Sequence, residues 1–390
     1  MTTAVEAPSG VFQFLPVERV VFGPGRVAGL AEQVERLGGR RAFIITGRSL
    51  ATKTDLVRRL ERLLGERHAG TYAETKQHVP SRGVIEAARQ ARAAEADLLV
   101  SFGGSSPVDC AKLVALTLAE GWTEPDELNA RANRRDRTPP ARPPVPQVAV
   151  TTTLSAGEFT MSAGVSNEAT GYKGGYAHPG LAPKVVILDP ELTLPTPRAL
   201  WLSTGIKALD HAVERLYSPD RQPLTNAVCG EAVRLIMRHL PASVGEGDTI
   251  ADRGYCQVAA WLSIFGMNNV RTGLSHAIGH QLGARCGVPH GITSCITMPH
   301  VIGYLGRRSP AALGDLAAAF GLPADDAGAG RAIAERVAGF VAELGLPGRL
   351  RDAGVPRDQL GPLAGAIAHE VEGRDLASEG ELRELVEAAW

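Results

Sequence analysis

ADLLVSFGGSSPVDCAK, residues Ala96–Lys112, changes its periodicity across one pair of glycines. ADLLVSFGG carries the short apolar run of a strand buried on both faces, and PVDCAKLVALTLAE (Pro107–Glu120) reads as a helix. Gly103, Gly104, Ser105 and Ser106 fill the turn between them. Glycines there let backbone amides approach a diphosphate, and the helix N-terminus adds partial positive charge. The turn is a phosphate cradle by position. It is not a G-x-G-x-x-G fingerprint, and by itself a Gly-Ser turn between strand and helix is equally ordinary structure.

The same alternation extends in both directions. Upstream, RRAFIITG (Arg40–Gly47) is a strand, and LATKTDLVRRLERLLGE (Leu50–Glu66) is one helix whose Leu56, Leu60, Leu63 and Leu64 make an apolar stripe. VIEAARQARAAEA (Val84–Ala96) is a further helix and VPQVAVTTT (Val145–Thr153) a further strand. The Arg- and Pro-rich run from Asn129 to Pro146 reads as an irregular crossover loop. After KVVILDPELTLPTP (Lys184–Pro197) strand signals fade, and helical patterns run from about Arg198 to Trp390. The expected fold is an α/β N-terminal domain, residues 1–190, with a doubly wound parallel, Rossmann-like sheet, followed by an all-α C-terminal domain, residues 191–390. A chain of 390 residues is long enough for two such cores. The cleft between two domains is the expected place for chemistry.

Charge narrows the partners. Lys+Arg number 41 against 42 for Asp+Glu, so there is no general electrostatic reason to expect nucleic acid or an anionic membrane as partner; a small molecule remains. Cys110, Cys229, Cys256, Cys286 and Cys295 form no C-x-x-C pair and read as reduced, cytoplasmic thiols. The start, MTTAVEAPSGVFQF, has no basic segment followed by a long apolar run, so neither an export signal nor a membrane span is expected.

Histidines mark the second half. In GLSHAIGHQLGARCGVPHG, His276 and His280 stand four apart on one helical face, and His290 follows a Gly-Val-Pro turn. In STGIKALDHAVERLY, Lys207 and His211 share a face in the same way. Such clustering points to one catalytic site supplied by Lys207, His211, His276, His280 and His290.

Taken in order, these segments resemble the iron-containing alcohol dehydrogenase superfamily. GGSSPVDCAK matches its GGGSxxDxAK signature, with Ser105 at the third glycine; FGPG (Phe22–Gly25) resembles its opening strand-turn. VTTTLSAGEFT (Val150–Thr160) resembles its nicotinamide-side TTxxxGSE loop, with Gly157 where the family has Ser, and Lys173 in GYKGG matches a lysine near the cofactor phosphates. The resemblance implies NADPH or NADH as cofactor, a homodimer, and Gly47, Arg48, Gly103, Gly104, Ser105, Ser106, Asp109, Thr152, Thr153, Ser155 and Lys173 as cofactor-side residues. Gly47 stands where NAD-preferring relatives carry an acidic residue, and Arg48 could pair with a 2′-phosphate, which leans towards NADPH; a plain turn glycine and a solvated arginine are the alternative.

The family's metal site follows G-x-D-A-x-x-H-A-x-E, H-A-x-x-H and P-H-G. Its histidine ligands match His211, His276 and His290, while His280 matches the histidine that contacts substrate and cofactor. The aspartate ligand is Lys207 in this chain. An ammonium repels a divalent cation, so no catalytic metal is expected; the lysine could itself donate to the substrate oxygen as negative charge grows there.

QHVP (Gln77–Pro80), DPELTLPTP from Asp189, VERLYSPDRQP from Val213 and the terminal ELRELVEAAW resemble the maleylacetate reductase branch, which also lacks the aspartate. That branch has Asn where Lys207 stands and Tyr where Leu154 stands. The expected function is NAD(P)H-dependent reduction of a small carbonyl compound, a keto acid, ketone or aldehyde. The alternatives are a metal-dependent alcohol dehydrogenase using His211, His276 and His290, a glycerol-1-phosphate or dehydroquinate-synthase type of enzyme, and a non-catalytic binding protein.

Overall fold

The computed structural model describes residues 10–133, 138–171, 173–323 and 328–390. The first nine residues of the N-terminal reading, the middle of the Arg/Pro-rich run and Tyr172 of GYKGG lie outside them. Strands β1 (Arg19–Phe22), β2 (Ala42–Thr46), β3 (His68–Tyr72), β4 (Leu98–Gly103), β5 (Gln147–Thr151) and β8 (Val185–Leu188) form one sheet in the order β1-β8-β5-β4-β2-β3, with every pairing parallel. β6 (Ser162–Ser166) and β7 (Lys173–Ala177) make a separate antiparallel hairpin.

Alternation along the strands builds two cores. Phe43 and Ile45 of β2 and Leu99 of β4 face α4 (Ser81–Ala93) and α5 (Ser105–Glu120), packing with Val84, Ala87, Cys110 and Val114. Ala42 and Ile44, with Leu98, Val100 and Phe102, face the opposite way, onto Leu30 and Val34 of α1 (Leu30–Arg36) and Leu60 and Leu64 of α3 (Leu56–Leu64). Each such Leu, Ile or Phe contributes about 1.5–3 kcal/mol by leaving water. That is why β2, β4 and β5 are buried from end to end, and why they read as continuous apolar runs.

Three local expectations need correction. Leu50–Glu66 is not one helix: α2 (Arg48–Lys53) stops at Thr54, whose backbone is extended and whose hydroxyl donates to the Leu50 carbonyl. β3 and the hairpin were not apparent, because HAGTY and KGGYA are glycine-containing and only partly buried. The Arg/Pro-rich loop begins later than Asn129, since α6 (Pro125–Asn133) extends into it; the Glu127 carboxylate accepts from Thr123 N and Glu124 N at its start.

The chain separates into two compact units. One comprises 15–197 and 246–258, the other 198–245, 259–390 and, among the described residues, 10–14. Phe12 and Phe14 belong with the second unit because they pack on Phe265, at ring-centroid distances of 5.6 and 6.4 Å. Arg253 and Gln257 belong with the first, donating to Thr193 O and Thr151 O.

The second unit is helical. α7 (Arg198–Tyr217) packs on α8 (Pro223–Ala242) and on α11 (His290–Arg308); α11 packs in turn on α10 (Leu274–Cys286) and α13 (Ala329–Glu343). α12 (Gly314–Ala319), α14 (Leu360–Glu370), α15 (Glu379–Ala389) and the part of α9 (Ile250–Ile264) from Ala259 onward complete it, while the start of α9 belongs to the first unit. α7 is buried on every side from Trp201 to Tyr217, so its polar residues must find partners inside the protein. Among the described residues, no helix is long and apolar enough to cross a membrane.

Candidate active site

In the sheet unit, the chain leaves β2 for β3 on one side and returns to β4 on the other. The turns after β2 and β4 therefore flank the point where the winding reverses, the place where open parallel sheets bind ligands. Gly47 and Arg48 follow β2, and Gly103 to Ser106 close β4 and open α5. Gly103 has φ +138°, and a Cβ there would meet Pro107 at 3.0 Å; a Cβ on Gly104 would meet Thr153 at 3.1 Å. No side chain caps the N-terminus of the 16-residue α5. A turn where added side chains would crowd Pro107 and Thr153, with a helix N-terminus behind it, suits a dinucleotide diphosphate.

Thr152, Thr153 and Ser155 lie against the same turn: Thr152 N donates to Gly103 O at 2.9 Å, and the Thr153 and Ser155 hydroxyls are 3.0 Å apart. Ala156 has φ +59°, in the left-handed region, where the TTxxxGSE pattern has its glycine. Asp109 turns sideways and accepts from Gly164 N in β6. Lys173 Nζ lies 2.9 Å from Nδ1 of His78, whose pKa is lowered by burial and by the lysine, and His78 and Val79 both have positive φ. Gly47 is extended, and a Cβ there would find ordinary contact 3.6 Å from Thr75 O. The lack of an acidic side chain is therefore not imposed by space. Arg48 is exposed.

Beneath the turn lies a residue that the signature contains but the sequence reading gave no role. Lys112 is fully buried and donates to Gly157 O, Thr160 Oγ1 and Ser162 O at 2.7, 3.0 and 2.9 Å, tying α5 to the loop and to β6. Burial brings its pKa down to about 8, with Asp109 and Glu158 opposing. Burial likewise pushes the neighbouring Glu158 up to about 7.

In the helical unit, the four histidines form a row. His211 of α7 stacks on His276 of α10 with ring centroids 5.1 Å apart; His276 and His280 are 6.1 Å apart, and His280 and His290, the first residue of α11, 5.6 Å apart. Lys207 is buried beside them and pairs at 3.5 Å with Asp210 Oδ2. The same oxygen accepts from Ser275 at 3.1 Å and Ser294 at 2.6 Å and lies 3.9 Å from His276 Nδ1. Asp210 thus ties together the three helices that carry the histidines. Burial raises its pKa, with Lys207 opposing.

One turn further along α7, Glu214 is fully buried. It accepts from Gly273 N and His276 N and lies 2.5 Å from His276 Nδ1. Burial would raise this carboxyl, but the imidazole and its other donors outweigh it and hold it at about 2. Burial lowers the pKa of His276 and lowers that of His211 much further. The sequence reading missed Asp210 as a partner and gave Glu214 no role, although i, i+3 spacing from Lys207 and His211 places both beside the site residues of α7.

Among the described residues, no group of three or more His, Cys, Asp and Glu side chains is disposed to hold a metal ion. An ammonium stands where the family pattern has its carboxylate ligand, and the nearby carboxylate faces that ammonium. A divalent cation placed among these histidines would be repelled by that ammonium.

A dinucleotide cradle in a parallel sheet and a histidine row in a helical unit define an NAD(P)-dependent oxidoreductase. Residues 17–190 match the iron-containing alcohol dehydrogenase family, and residues 201–379 match the C-terminal part of the Fe-containing alcohol dehydrogenase family. Maleylacetate reductase 2 of Cupriavidus pinatubonensis is 34% identical over 323 residues, covering 83% of this chain and 81% of that protein. The 1,3-propanediol dehydrogenase of Citrobacter freundii is 32% identical over 354 residues, covering 88% and 89%. The crystal structure of maleylacetate reductase from Agrobacterium tumefaciens is similar with a TM-score of 0.82 at 29% identity, over 98% of this chain and 99% of that one. The chain belongs to the iron-containing alcohol dehydrogenase family.

Proposed function

We propose that the protein uses NADPH or NADH to reduce a small carbonyl compound without a metal, with Lys207 in the electrostatic role of the cation. The supporting observation is the buried Lys207–Asp210 pair within the histidine row. When bound, the reduced nicotinamide supplies a hydride. Lys207 donates a hydrogen bond to the carbonyl oxygen, whose negative charge grows as the carbon is reduced. Because Asp210 is held by the Ser275 and Ser294 hydroxyls, the ammonium paired with it keeps its position. A cationic group of this kind also suits a substrate bearing a carboxylate, as in the maleylacetate reductases to which the chain is similar. Exposed Arg48, and a Gly47 that offers no acid to the ribose, favour NADPH.

The test is an NADH and NADPH oxidation screen over small keto acids, ketones and aldehydes, including maleylacetate, with and without chelator, alongside metal content by mass spectrometry. Turnover unaffected by chelator, in protein with far less than one metal per chain, is expected. Activity abolished by chelator and restored by zinc or iron would instead make His211, His276 and His290 metal ligands and refute the proposal.

A further inference from the structure

Reduction needs a proton as well as a hydride, and the histidine row offers several sources. Their surroundings differ. His211 is buried, its Nδ1 without a hydrogen-bond partner among the described residues. His276 lies, through Nδ1, 2.5 Å from the buried Glu214, and its side chain is only 10% exposed, which limits its exchange of protons with solvent. His290 is the first residue of α11, where the helix dipole disfavours an imidazolium.

His280 differs in its exposure and in its place in mid-helix. Its side chain is 51% exposed, and its Nδ1 lies 2.8 Å from Oε1 of Glu370, the last residue of α14, 90 positions away in the chain. A carboxylate can only accept, so Nδ1 carries the proton of that hydrogen bond, and Nε2 remains for other business. The other oxygen, Oε2, accepts from Gln281 Nε2 at 2.7 Å, so two consecutive residues of α10 hold the carboxylate. The His280 ring lies edge-on to both His276 and His290, which places it within the row.

We infer that His280 is the residue that protonates the product oxygen and that Glu370 is its positioning residue, fixing the tautomer and orientation of the imidazole. This rests on the carbonyl-reductase reading above. The carbonyl carbon gains a hydride from the reduced nicotinamide, and the C=O π pair moves onto the oxygen. The proton on His280 Nε2 passes to that oxygen, giving alcohol and oxidised cofactor, and the exposed imidazole regains a proton from water. Glu370 stays ionised throughout and stabilises the imidazolium.

The experiment is a double-mutant cycle on the full chain, using the best substrate and cofactor from the oxidation screen. Glu370→Gln is expected to lower kcat about tenfold with the KM for cofactor within twofold, and His280→Ala to lower it about a hundredfold. In the His280→Ala background, Glu370→Gln should cost nothing more, because the carboxylate acts only through the imidazole. Full kcat in Glu370→Gln, or the same tenfold loss in both backgrounds, overturns the inference. If Glu370→Gln does not fold, Glu370→Asp carries the same cycle: its charge is kept but drawn back by one methylene. A threefold or greater loss, absent without His280, is then expected, and unchanged kcat overturns it. A screen that finds no carbonyl reduction defeats the underlying reading; turnover that ignores Glu370 defeats only the dyad.

Discussion

At the scale of single residues, the proposed reduction turns on Lys207 and its partner Asp210. Lys207→Met removes the proposed donor to the substrate oxygen and is expected to lower kcat/KM for the carbonyl by about 10²–10³-fold, with the cofactor KM near its original value, in steady-state kinetics. Asp210→Ala leaves the buried ammonium without its counter-ion and strips a partner from Ser275 and Ser294. It should cost about 3–5 kcal/mol in urea unfolding, more than the loss of an exposed pair. Gly104→Ala tests the cradle. Its Cβ would meet Thr153 at 3.1 Å, so the KM for NADPH should rise roughly tenfold, about 1.4 kcal/mol, with less effect on kcat. The sequence announced Lys207 because the family pattern has an acid there. Its partner was hidden by looking ordinary: Asp210 is one of many carboxylates in the sequence, and only burial separates it from the rest.

At the scale of elements, α5 joins what periodicity reveals to what packing decides. Its strand, turn and helix are legible in sixteen or so residues, since each follows from local pattern. Its link through Lys112 to the loop after β5 and to β6 is not, because those acceptors are backbone carbonyls some fifty positions away. The buried pair beneath the cradle should leave a mark on stability. Glu158 has its pKa pushed up to about 7 in the folded chain from an ordinary 4.5. Between those values the unfolded chain releases a proton that the folded chain keeps, so this group's contribution is present below about 4.5 and is lost as pH rises through about 7. The stability of the wild type relative to Glu158→Gln should therefore fall between pH 4.5 and 7, measured by denaturant unfolding at each pH. A difference that rises over that interval would contradict the assignment. The hairpin of β6 and β7 shows the opposite case: glycine-containing segments with half-buried faces have little period to read, and their mutual pairing makes them strands.

For the whole molecule, the proposed metal-free reduction and the nicotinamide cradle predict a particular response to ligands. NADPH at a hundred times its Kd should raise the unfolding free energy by about 2.7 kcal/mol, whereas chelator should leave the thermal midpoint unchanged; both are read by scanning fluorimetry. A midpoint lowered by chelator and restored by zinc would count against the lysine. By itself the sequence determined the parallel α/β half and the helical half, the glycine turn at the head of α5, the shared faces of His276 with His280 and of Lys207 with His211, and the ammonium in place of a metal ligand. Each of these is written in neighbouring residues, where strand and helix periods and single substitutions can be read directly. Tertiary structure alone decided the partners: Asp210 for Lys207, Glu214 for His276, Glu370 for His280, and the three carbonyl and hydroxyl acceptors of Lys112. Burial makes a polar group find its complement wherever the packing brings one, and that distance along the chain leaves no local pattern.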